Sequence, residues 1–169
     1  MKARFLLGAV AATFLASPAS ALDMERFEGV VEQTLAAIEA GDVDVNELLA
    51  YQDQLIEIGA EGAIGYGKKN ANCAAAMDFV AANVETMKSE SLVSIEGAWH
   101  EGGALEAAGI DTEAVYDDDY ASIYMEAVIH PATAHIALRA YELTGDEDYL
   151  DVVEFELEEI VDHFEELKD

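Results

Sequence analysis

From Tyr149 to Phe164 the apolar residues Tyr149, Leu150, Val153, Leu157, Ile160, Val161 and Phe164 recur at spacings of three and four, with acids between them. Each residue of an α-helix advances by about 100°, so this rhythm gathers the apolar groups into one stripe and turns the acids toward water. The same rhythm runs through Phe27, Val30, Val31, Thr34, Leu35 and Ile38, ending at Gly41. It returns in Val45, Leu48, Leu49, Tyr51, Leu55, Ile56 and Ile58, where Asp44 precedes the run and Glu47 follows three positions later. An acid at the N-cap and a glycine past the last turn are helix punctuation. Alternation with period two, the mark of a half-buried strand, persists nowhere. The chain is therefore expected to be all-α: a single domain over 22–169, built as a four- to five-helix bundle, with an irregular Gly-rich segment near 95–119 where Gly97, Gly102, Gly103 and Gly109 interrupt the periodicity.

A third helix is expected from about Ala71 to Lys88. A fourth covers Asp119 to Ile129, with Pro131 beginning or kinking the next run to Leu143. Gly59, Gly62, Gly65 and Gly67 read as a flexible connector or a close helix crossing. Lys68 and Lys69 follow, but the order of a phosphate-cradling loop is absent. The TGDEDYLD turn at 144–151 resembles a joint of tetratricopeptide-type repeats, yet it occurs once, and no period of about 34 residues repeats it.

Residues 1–21 carry Lys2 and Arg4, an apolar run from Phe5 to Leu15, and Ala19-Ser20-Ala21. This is the layout of a signal peptide cleaved near Ala21, with a run too short to span a bilayer. A periplasmic or secreted protein is expected. The full chain has 8 basic and 36 acidic residues, a net charge of −28; without the leader's two basic residues the balance is 6 − 36 = −30. Such a field repels nucleic acid and anionic membrane surfaces, and favours a basic protein or a cationic ligand. An apolar content of 52% argues against disorder despite that charge. Cys73 is the only cysteine, which excludes an internal disulfide, and its small-residue surroundings favour burial.

Four histidines remain as candidate chemistry. His130 and His135 lie five apart, which on a helix separates them by about 140°, too far to meet on one ion. His135 falls beside Arg139 and Glu142 on the polar side, whereas His130 borders the apolar side just before Pro131. Glu126 precedes His130 by four and Glu159 precedes His163 by four. Carboxylate and imidazole at that spacing can both reach a bundle interior, although di-iron bundles use a spacing of three. His100, in AWHEGG beside the only tryptophan, could join His130 around a cation. Its H-E-x-x-H continuation fails at Ala104, which excludes a zincin site.

These patterns give two expectations. The first is a non-enzymatic ligand- or partner-binding protein, with Trp99, His100, Tyr120, Glu126 and His130 around the ligand. The second is a metal- or haem-binding protein using His100, His130 and His163; a transition metal, or non-covalent haem held by Met24 or Met125 with His163, would be the cofactor. No nucleophile with a base and an orienting partner can be assembled, so an enzyme is less expected.

Overall fold

The computed structural model describes residues 22–41 and 43–166, without the side chains of 119 and 166. The leader read at 1–21 lies outside the described residues. All regular structure among the described residues is helical: α1 (Met24–Glu39), α2 (Val45–Gly67), α3 (Ala74–Ala82), α4 (Val84–Lys88), α5 (Leu92–Ile95), a π-helical turn (Glu96–His100), α6 (Gly103–Ala107), α7 (Glu113–Tyr116), α8 (Asp119–Thr144) and α9 (Asp148–Glu166). None of these helices is long and apolar enough to cross a membrane.

Capping follows the sequence closely. Asp23 accepts the backbone N–H of Arg26 at the start of α1, and Asp44 accepts those of Asn46 and Glu47 at the start of α2. Gly41 and Gly145 end α1 and α8 with positive φ of 68°, a conformation glycine adopts without strain. On α9 the residues Val153, Leu157, Ile160 and Phe164 are buried, and Phe164 meets Phe27 of α1 edge to face at 5.0 Å.

Of the two readings of the glycines after Ile58, the close helix crossing holds and the flexible connector does not, because α2 continues through them to Gly67. A Cβ at Gly59 would overlap the carbonyl of Ala127, so α2 and α8 cross there in backbone contact. One expectation needs correction: Pro131 does not begin a helix, since α8 runs unbroken through it from Asp119 to Thr144. Proline lacks the N–H that Ala127, four residues earlier, would accept, a defect of about 3 kcal/mol in a helix interior. Packing overrides that penalty, since Val128, Ile129, Ala132, Ala134, Ala137 and Leu138 of α8 are all fully buried, each large side chain contributing about 2 kcal/mol. The carbonyl left without a donor is the one on which Gly59 rests.

α8 is thus the central helix, flanked by α2 on one side and α9 on another. A helix in that position is apolar nearly all round, and its few polar residues are conspicuous. Among them are His130, at 3% exposure, and Thr133.

Candidate metal centre

Three of the four histidines converge on one pocket of about 330 Å3. Its walls are Glu96, His100, Glu126, His130, Phe155, Glu156, Glu159 and His163. His100 comes from the π turn, His130 with Glu126 from α8, and His163 with Glu156 and Glu159 from α9. α8 and α9 lie antiparallel, so the two pairs at spacing four interleave. Glu126 Oε2 reaches His163 Nδ1 at 2.7 Å, and His130 Nδ1 lies 4.0 Å from Glu159 Oε2. The shortest partner of His130 is Glu156 Oε2, hydrogen-bonded to Nδ1 at 2.8 Å. The His100 ring meets His130 edge-on at 5.0 Å, and His130 meets His163 at 5.9 Å.

His100 arrives here because Glu96–His100 forms a π turn, in which Glu101 N–H bonds Glu96 O across five residues. Such turns recur at functional sites because they re-aim a side chain out of the helical register. The turn points Trp99 inward, where it stacks on Phe79 at 5.7 Å, and leaves Nε2 of His100 2.9 Å from Thr133 Oγ1. Thr133 is in turn anchored to the carbonyl of Ile129 at 3.1 Å. Burial, reinforced by the neighbouring His130 ring, pulls the His100 pKa below its usual value, against the pull of Glu156, Glu96 and Glu159. Because the Thr133 hydroxyl donates its proton to Ile129, Nε2–H of His100 donates to Thr133 here. A neutral imidazole can carry its proton on Nδ1 instead, which frees the Nε2 lone pair that a metal ion requires.

Two sets of ligand atoms are close enough to share an ion. In His100, His130 and Glu156, and again in Glu126, His130 and His163, the atoms all lie within 4.8 Å of one another. Two ligand atoms about 2.1 Å from a tetrahedral ion stand about 3.4 Å apart. The His130 Nδ1–Glu156 Oε2 and His100 Nε2–Glu156 Oε2 distances, 2.8 and 3.8 Å, bracket that value. The contact between Glu126 and His163 adds a second indication. It is short, yet outside the angular range of a hydrogen bond, and the buried Nδ1 of His163 has no hydrogen-bond partner. Two electron-rich atoms held together without an aligned proton suit a common cation.

Of the residues read from the sequence as ligand-binding or metal-binding, His100, Glu126, His130 and His163 line this pocket. Trp99 and Tyr120 do not: Trp99 is buried against Phe79, and Tyr120 is exposed on α8. Tyr124, four residues after Tyr120, stacks on Tyr66 at 4.6 Å. Met125 belongs to the core and lines no wall of the pocket; four carboxylates there are poor company for a flat apolar haem. Cys73 is buried, its thiol donating to the Ala114 carbonyl at 3.3 Å, and burial followed by the Asp118 charge pushes its pKa up. His135, expected on the polar surface, is in fact half-buried against α2, with Nε2 3.8 Å from Asp53.

Sequence reasoning missed Glu156 and Glu96, and both carried a signal. Glu156 lies seven before His163 in the run Tyr149, Val153, Ile160, at a position where that rhythm calls for an apolar residue. Glu96 lies four before His100. Three histidines of four, on three separate segments, thus follow a glutamate by four residues, and the fourth, His135, follows Pro131. One such pair is expected by chance among 36 acids; three converging on one pocket are not.

Compared with known proteins, the chain matches no family model, no curated protein and no solved structure.

Proposed function

We propose that the protein binds divalent transition metal through His100, His130 and His163 with Glu126 and Glu156. The observation that carries this reading is the convergence of three histidines from three segments, with carboxylates, inside mutual ligating distance. Imidazole and carboxylate donors without thiolate or thioether favour ions such as Zn2+, Fe2+, Ni2+ or Cu2+ over Cu+. The net charge of −28 favours cations near the surface, which supports the same reading. The leader at 1–21 would place the binding outside the cytoplasm, and the four longest helices, α1, α2, α8 and α9, would form the bundle that carries the centre. This reading moves ahead of a plain ligand-binding module because the pocket is lined by metal donors rather than by the Trp99 and Tyr120 surface.

The test is direct. The protein, purified without a histidine tag after metal-replete growth, is analysed for metal content and visible spectrum. At least one transition-metal ion per chain is expected, retained against millimolar Mg2+ and lost in His130→Gln. A chain that binds no Zn2+ under those conditions overturns the reading, and a Soret band would replace it with haem binding.

A further inference from the structure

We propose that the pocket is a two-ion centre in which His130 is shared: one ion is held by His100, His130 and Glu156, the other by Glu126, His130 and His163. The proposal rests on the metal-binding reading above and specifies its stoichiometry.

Three observations carry it. Each triad closes within 4.8 Å, whereas the five residues together do not, so no single point serves all of them. His130 is the ring that both other histidines meet edge-on, and among the described residues His100 and His163 do not meet each other. Charge supplies the third. Glu96, Glu126, Glu156 and Glu159 line the same pocket and bring four negative charges when ionised. One divalent ion would leave half of that charge uncompensated in a partly enclosed space, whereas two ions offset all four carboxylates and leave only the single negative charge of a deprotonated His130. The pocket thus has the ligands and the charge for a pair.

Sharing has a chemical requirement. A neutral imidazole offers one lone pair, so serving two ions requires its remaining N–H bond to break. The electron pair stays on nitrogen to bind the second ion, and the proton leaves to solvent. Each ion then has three protein ligands, and a water or small anion can complete its shell. The two positions also differ in access. Glu156 is 10% exposed and His130 3%, whereas Glu126 and His163 are 26% and 28% exposed, so the second triad faces solvent and is the one to fill and empty first.

The experiment titrates Zn2+ into chelator-treated protein in the presence of excess Mg2+, with stoichiometry read by mass spectrometry and proton release by calorimetry in buffers of different ionisation enthalpy. The wild type is expected to bind two ions, the second with one more proton than ligand pKa values alone require. His163→Gln and His100→Gln are each expected to bind one, since each dismantles a different triad. Circular dichroism establishes that both variants remain folded, and Glu126→Gln stands in for His163→Gln if that variant does not. One ion in the wild type overturns the two-ion centre while leaving metal binding intact, and no ion overturns both. Two ions that persist in both variants place the metal elsewhere and overturn the assignment. Two ions without the extra proton overturn the shared ligand.

Discussion

α8 carries two histidines five residues apart in opposite surroundings. His130 faces α9, among two other imidazoles and the carboxylates of Glu126, Glu156 and Glu159. His135 faces α2, where its nearest charged neighbour is Asp53, itself engaged at 3.0 Å by Lys88, and its Nδ1 is buried without a hydrogen-bond partner. Both rings are largely withdrawn from water, so burial does not separate a candidate ligand from an incidental histidine. The arrangement of the neighbouring helix does. α9 presents further donors at the spacing of a shared ion, whereas α2 presents glycines that bring backbones together.

The largest effect should come from exchanging the two rings' fates. His130→Gln is expected to lower Zn2+ affinity more than about 100-fold in competition with a chelating dye, and His135→Gln to leave it within about threefold. Equal losses would erase the distinction between the two faces of α8. The α2 face can be broken on its own terms. Gly59→Ala places a methyl group against the Ala127 carbonyl and should destabilise the fold by about 2–3 kcal/mol in urea denaturation. Its effect on metal stoichiometry should be nil wherever the variant is folded.

A smaller effect separates the faces by pH. Burial is the leading cause that lowers the pKa of both His100 and His135. In the metal-free protein each therefore contributes stability that is fully present above the unfolded value of about 6.5 and is lost as pH falls through the lower folded value. His100→Gln and His135→Gln should each flatten the fall in urea stability below that pH. With Zn2+ bound, proton competition for the ligand steepens the dependence on the His100 side only, so His100→Gln should then flatten it more than His135→Gln does. The smallest expected change is at Lys88, which pairs with Asp53 at 3.0 Å and Glu85 at 2.7 Å near the surface. Lys88→Ala should reduce stability by about 0.5 kcal/mol and leave metal binding unaltered.

How far the sequence speaks for the structure follows the same division. α1, α9 and α2 as far as Ile58 are legible because an amphipathic helix writes its orientation into a three-and-four rhythm. α8 is not, because a helix buried on nearly every side has no stripe, and because the local penalty of Pro131 is outweighed only by packing distant in sequence. The site is half legible for a different reason. Histidines are scarce and draw attention, whereas Glu156 and Glu96 are camouflaged among acids that merely solvate the surface. Only position distinguishes them: Glu156 interrupts an apolar rhythm, and Glu96 repeats a spacing already present twice. The π turn that delivers His100 leaves no trace in periodicity, since it is itself a break in register.

The histidines come from residues 100, 130 and 163, so an ion or ion pair among them ties the π turn, the central helix and the last helix at one point. A chain with a single cysteine has no disulfide with which to do this. Metal would then be a removable cross-link. Because the unfolded chain cannot preserve the cluster, its occupancy adds directly to the stability of the fold, by about 2.7 kcal/mol when free metal stands at 100 times the dissociation constant. Ion supply would thereby set how firmly α9 is fastened to the rest of the protein.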